Sequence, residues 1–263
     1  MPLKSNVGCH KERMRTPEAE FEAELEVFCQ EAESAVQFFY AWLSVHQVAS
    51  RNETVEDLLN AAPLFWNTAL GALQSSAFIA LGRIFDQERD THNIDRLIRL
   101  AQINPDIFSL EALAERKRRL APTANEGIAE YLKNAHVPTH DDFRRLRKHV
   151  AARRKIYEAN FRPVRHNVFA HKHLSHQVDQ QALFAKVSVP EIQQVLVFLR
   201  RLHQALWDLL FNGRKPVLLP ARYSVTQMLA LPKANGASLQ ERLTREAERF
   251  LKSTAKAVEG SRQ

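Results

Sequence analysis

The chain has 263 residues, 45% of them hydrophobic and 25% charged, which is the balance of a globular protein with a sizeable core and excludes global disorder. Its 7 glycines are too few for a fold of tight hairpins or phosphate-cradling glycine loops, and its 2 cysteines, Cys9 and Cys29, supply neither a disulfide framework nor zinc-ligand spacing. A formal charge of +7 permits a polyanionic partner but does not define a site for one.

Ala, Leu, Glu, Arg and Gln dominate the periodic stretches, and these residues lose little rotamer freedom in a helix, so the expected class is all-α. The opening MPLKSNVGCHKERMR has no apolar core of a secretory signal. No stretch reads as 18 apolar residues, and the expectation is a cytoplasmic protein without a membrane partner.

From Pro17 to about Ala49, Phe21, Leu25, Phe28, Ala32, Ala35, Phe39 and Trp42 recur in steps of four and three, which predicts a helix with a narrow seam against another helix. A second helix starts at Pro63 and runs to Asp86; its apolar residues lie nearly all round, which predicts the central, most buried helix. Shorter amphipathic pieces fill 93–134, interrupted at Asn104-Pro105 and Pro122. Thr139 is an N-cap candidate followed by acids, and it opens the basic segment THDDFRRLRKHVAARRKIYEANF, after which Pro163 predicts a new first turn or a kink. Another helix is expected from Pro190, with Ile192, Val195, Leu196, Leu199, Leu202, Leu206 and Leu209 on one face, stopping at Asn212-Gly213. The stretch from Arg214 to Ala237 reads as an irregular arm, and Ser238 to about Val258 as an amphipathic helix carrying Leu239, Leu243, Ala247 and Phe250. The expected organisation is a flexible N-terminus over 1–16, a helical bundle over 17–213, and a C-terminal arm and helix over 214–263. Trp42, Trp66 and Trp207 sit in apolar patterns and are expected in the core.

Between Phe143 and His173 the chain places Arg144, Arg145, Arg147, Lys148, Arg153, Arg154, Lys155, Arg162, Arg165 and Lys172 against a single acid, Glu158. Such a run is either a solvated helix face or an electrostatic track for phosphates, and Arg144, Arg147, Lys148, Arg154, Arg162, Lys172 and His173 are the candidate nucleic-acid contacts. The run leads into Arg165, His166, Asn167 and His171. Histidine exchanges protons near neutral pH, and arginine is a permanent cation whose fork fits phosphate oxygens. A base acting on a ribose 2′-hydroxyl beside such a cation suffices to cleave RNA with no metal or other cofactor. In a regular helix Arg165 and His171 fall roughly 120° apart, so their convergence requires a break near the motif or a second subunit. Asn167 and His171, four apart, share a face. A metal site at His171, His173 and His176 is the weaker reading, because no cysteine or suitably spaced carboxylate accompanies them. Arg83 and Asp86, three apart, are expected to form an ion pair or an anchoring hydrogen bond.

RHNVFAH, residues 165–171, resembles the Arg-x(4–6)-His signature of the HEPN superfamily, and together with LGRIFD at Leu81–Asp86 it is most similar to the abortive-infection U-type branch. The resemblance spans roughly 63–213. It implies an antiparallel HEPN-like bundle with extra helices and a C-terminal extension, dimerising with its two motifs face to face. It further implies a metal-independent endoribonuclease of a defence or toxin–antitoxin system, with Arg165 and His171 in the catalytic places, His166 at the polar position after the arginine, RNA as substrate, and an antitoxin or defence protein as partner. Many HEPN members are non-catalytic binding modules, so a nucleic-acid or nucleotide-binding or interaction role stands as the alternative.

Overall fold

A computed structural model describes residues 16–120, 127–166, 188–218, 224–230 and 238–260, and among them every regular element is helical. Helix α1 (Pro17–Ala49) begins where Thr16 Oγ1 accepts the Ala19 N–H at 3.2 Å, with Pro17 at its start and Glu18 and Glu20 in the first turn favouring the helix dipole. Its seam is buried from Phe21 to Phe39, and Ala32 and Ala35, both fully buried, let neighbouring helices approach closely. Helix α1 is the hub: α3 (Pro63–Ile84), α4 (Ile94–Ile103), α8 (Val189–Asn212) and α10 (Leu239–Gly260) all pack on it. Glu24 of α1 is buried, and it accepts from Arg96 Nε at 3.0 Å and lies 2.7 Å from His92, which ties α4 to the hub by a charge-assisted bond.

The expectation that the helix from Pro63 is the most buried one is corrected. Its C-terminal half is enclosed, at Ala77, Phe78, Ala80, Leu81, Gly82 and Ile84, but in its first half only Leu70 is buried, and Leu64 and Phe65 at its start are 82% and 64% exposed. An all-round apolar pattern does not say which face meets a neighbour. The same composition makes α3 the one described helix long and apolar enough to cross a membrane, with a mean hydropathy of 1.2 over its most apolar window. The expectation from the sequence is that no such stretch exists. Asn67, Thr68, Gln74, Ser75 and Ser76 interrupt it, and its second half belongs to the main core.

Between α1 and α3 lies a helix that the periodicity did not suggest, α2 (Glu53–Ala61), started by Asn52, which accepts the Val55 N–H at 3.0 Å. It buries only Val55, too little apolar surface to leave a pattern. After α4, a 3₁₀ turn at Pro105–Phe108 leads to α5 (Leu110–Leu120), and α6 (Ile128–Lys133) precedes α7 (His140–Ile156). Helix α8 ends at Gly213, whose φ of 55° is a left-handed conformation that a side chain would strain. The arm after it is not wholly irregular: α9 (Val225–Ala230) buries Val225 in the main core. Helix α10 packs along α1 and α2, with Leu251 and Ala255 in a second apolar cluster around Val45, Val48, Val55 and Leu70, and with Thr244 and Ser44 hydrogen-bonded in the interior. Trp207, expected in the core, faces outward instead at 39% exposure and packs against Phe211 on the rim of α8, and Phe250 of the C-terminal helix is 60% exposed.

Candidate functional site

Helix α7 opens on Thr139, as its sequence predicts. The Thr139 N–H and hydroxyl donate to Asp142 Oδ2 at 2.8 and 2.9 Å, the carboxylate half of a capping box. The helix then fails to continue regularly. A π turn at Tyr157–Phe161 follows Ile156, then a single helical turn at Arg162–Val164, which delivers Arg165. Pro163 accounts for the break: it has no N–H to donate to the preceding turn, and its ring crowds the carbonyl four residues back, so the chain takes up an extra residue. The new turn or kink expected at Pro163 is therefore present; it precedes Arg165, and the stretch from Asn167 to His171 lies outside the described residues.

Four attachments fix the π turn. Phe85 of the turn after α3 stacks on Tyr157, with centroids 5.0 Å apart and planes within 19°, and Phe161 meets Phe78 edge-on at 6.1 Å. Asn160 donates to Glu191 at the start of α8 at 2.9 Å, and Gln87 donates to Glu158 at 2.8 Å.

On this platform Arg165 lies directly over Gly82. A Cβ at residue 82 would come within 2.2 Å of the Arg165 Nε and 2.7 Å of its Cζ, so the arginine occupies the volume that any side chain there would need. Glycine inside a helix costs about 1 kcal/mol relative to alanine, and here it gives the guanidinium its seat. Arg165 also hydrogen-bonds the Tyr157 phenol. Burial pushes that phenol's pKa up, and the Arg165 charge and hydrogen bond, with Arg162 nearby, pull against the shift. The Arg165 side chain is half-buried, and its Nε is buried without a hydrogen-bond partner among the described residues. The result is a permanent cation seated over Gly82 beside one phenol, with donor capacity left over among the described residues.

His166, beside it, is exposed. Asn167, His171, Lys172 and His173, with His176, lie outside the described residues. Of the other basic candidates, Arg144 pairs with Asp141 at 3.0 Å and Arg154 with Asp95 at 2.6 Å, so the run is not uniformly a free track. Arg147, Lys148 and Arg162 are exposed. Arg83 and Asp86 do not pair with each other: Arg83 reaches Glu31 at 3.2 Å, and Asp86 anchors the turn by accepting the Gln87 and Glu88 N–H groups at 2.8 and 3.2 Å. Among the described residues no three His, Cys, Asp or Glu side chains converge as a ligand set.

Sequence reasoning singled out neither Tyr157 nor the role of Gly82. The sequence could not single out Gly82, since Gly71 of the same helix has no side chain or backbone near its Cβ position.

The all-α bundle is the fold that the HEPN resemblance implied, and the seat of Arg165 on Gly82 is a feature that the resemblance did not specify. Residues 18–227 match the model of the AbiU2 family of HEPN domains, and the chain belongs to that family, of the abortive-infection type. No curated protein and no solved structure matches it.

Proposed function

We propose that the chain is a metal-independent endoribonuclease of a defence or toxin–antitoxin system, acting as a homodimer in which the Arg165–His171 segments of two copies face one another. The observation that carries this reading is the seat of Arg165 on Gly82 and Tyr157: a guanidinium half withdrawn from water, oriented by its neighbours, and not neutralised by a carboxylate among the described residues. Such a cation stabilises negative charge far better than a freely solvated one.

The reaction follows from the residue types. His171 takes the proton of a ribose 2′-hydroxyl, and the oxygen attacks the adjacent phosphorus. Charge growing on the equatorial oxygens is met by Arg165. The 5′-oxygen leaves with a proton, for which His166 is the nearest donor in sequence, giving a 2′,3′-cyclic phosphate and a 5′-hydroxyl. Asn167, four residues before His171 in sequence, orients the imidazole. The six-residue spacing favours supply of the histidine by the partner copy.

The test is incubation of single-stranded RNA with the purified chain in excess chelator, with analysis of the ends. Cyclic phosphates are expected, and His171→Ala should lower the rate by about 10²–10⁴, the usual worth of a general base. Cleavage by that variant at the wild-type rate overturns the assignment. A binding role without turnover is the second reading, favoured by arginines that converge away from Arg165; it gives salt-sensitive RNA binding and no cyclic ends.

A further inference from the structure

A concave groove of about 370 Å³ lies between the turn after α3, helix α4 and helix α7. Three separate elements send arginines into it: Arg89 from the turn, Arg96 and Arg99 from α4, and Arg147 and Arg154 from α7. Two acids, Glu88 and Asp95, line it as well.

The ion pairs divide these arginines. Arg96 is held by Glu20 and Glu24 at 2.7 and 3.0 Å, and Arg154 by Asp95 at 2.6 Å. Arg154 is largely enclosed, its side chain 18% exposed and its Nε buried without a partner among the described residues, so it forms a fixed wall rather than a waving surface charge. Arg89, Arg99 and Arg147 are exposed and have no carboxylate partner among the described residues. A solvated helix face would spread its cations outward along one helix. Here three unpaired guanidinium groups from three elements face one concavity, where low-dielectric walls concentrate the potential.

We propose that this groove is a phosphate-binding subsite that holds the backbone of single-stranded RNA beside the Arg165 segment, an inference that rests on RNA being the ligand of that segment. Two observations favour a nucleic-acid backbone over a free nucleotide. No aromatic side chain lines the groove, so phosphates are recognised while a base finds nothing to stack on. The groove also adjoins the turn that carries the Arg165 seat: Gln87 lines it and donates to Glu158, the residue after Tyr157. Arg147 and Arg154 stand seven residues apart on α7, a rise of about 10 Å, which gives the groove the length of more than one phosphate.

The experiment measures binding of a fluorescent 2′-O-methyl 12-mer to the intact chain by anisotropy across a salt series. That probe lacks the attacking hydroxyl, so binding is read whether or not the chain cuts RNA. Arg99→Gln combined with Arg147→Gln should weaken binding at 0.1 M salt by on the order of tenfold and reduce the slope of log K against log salt by about 1.4, two phosphates at about 0.7 each. The matching double lysine variant should keep the slope, which separates lost charge from lost folding. An unchanged affinity and slope in the glutamine variant overturns the proposal, as does an equal loss on Lys256→Gln of α10, which would reveal bulk attraction alone. Displacement of the 12-mer by AMP at lower concentration than the 12-mer itself requires would assign the groove to free nucleotide and overturn the RNA assignment. Variant-sensitive binding without cleavage of ordinary RNA sinks the nuclease reading alone, and cleavage with variant-insensitive binding sinks the groove alone.

Discussion

The two ends of helix α7 solve the same problem in opposite ways. At the N-terminal end a carboxylate is buried, Asp142 at 2% exposure, and every demand it makes is met: the Thr139 N–H and hydroxyl, His136 at 3.0 Å, and the Arg145 guanidinium all bond it. At the C-terminal end a guanidinium is half-buried, and its demands are met only in part, by one phenol and a bare glycine, with Nε left unpaired among the described residues. A polar group with all its partners holds a structure together. One with capacity to spare, on a helix that breaks to place it, is available to a ligand.

If this contrast is functional, the largest effect belongs to the unsatisfied end. Arg165→Ala should reduce cleavage of single-stranded RNA in chelator by on the order of 10²–10³, the cost of one transition-state charge contact, with a small change in denaturation midpoint. Arg165→Lys should recover little, because a point charge on a flexible stem cannot reproduce a fork lying flat on Gly82. Wild-type rates in both variants would place the chemistry elsewhere. Gly82→Ala is expected next in size. The added methyl meets the Arg165 side chain at 2.2 Å, so the guanidinium must move, and cleavage should fall by about tenfold or more. The helix itself gains up to about 1 kcal/mol of propensity from alanine, which partly offsets the clash. Activity and stability should therefore separate in this variant, and a parallel loss of both would mark Gly82 as a packing residue only.

The same contrast explains what was legible in the sequence. Local signals were read correctly: the Pro17 start and heptad seam of α1, the Thr139 cap, the stop at Gly213, and the break near Pro163 all depend on residues within a few positions of one another. The all-α class and the family followed from these and from two short phrases. What could not be read depends on long-range placement. The seating of Arg165 on Gly82 joins two helices far apart in the chain, and the ring stack of Phe85 on Tyr157 does the same. Burial failed for a related reason: Leu64, Phe65 and Trp207 carry apolar side chains in helical register but lie where no neighbouring helix covers them. The arginine groove was half visible. Arg147 and Arg154 stood out in the basic run, whereas Arg89 and Arg99 belong to it only through the folding of α4 against α7.

The satisfied end gives the smallest effect and a different signature. Burial alone would raise the Asp142 pKa, but the Thr139 N–H, His136, the Thr139 hydroxyl and Arg145 outweigh it and hold the carboxyl far below the ordinary carboxylate range. A carboxyl whose pKa is depressed on folding contributes stability that is fully present above its unfolded value, about 3.9, and is lost as pH falls through the folded value. Asp142→Asn, which keeps the shape but removes the charge, should thus cost about 1–2 kcal/mol at pH 6–7, as the loss of a helix cap with charged hydrogen bonds does. The difference from wild type should hold down to about pH 4 and shrink below it, as the unfolded chain binds a proton at Asp142 that the native carboxylate does not, and the wild-type chain loses what the variant never had. Urea titrations at a series of pH values read this directly. A difference that stays constant between pH 5 and pH 2.5 would mean that the Asp142 charge contributes nothing, and that the N-terminal end of α7 is held by shape rather than by its closed polar network.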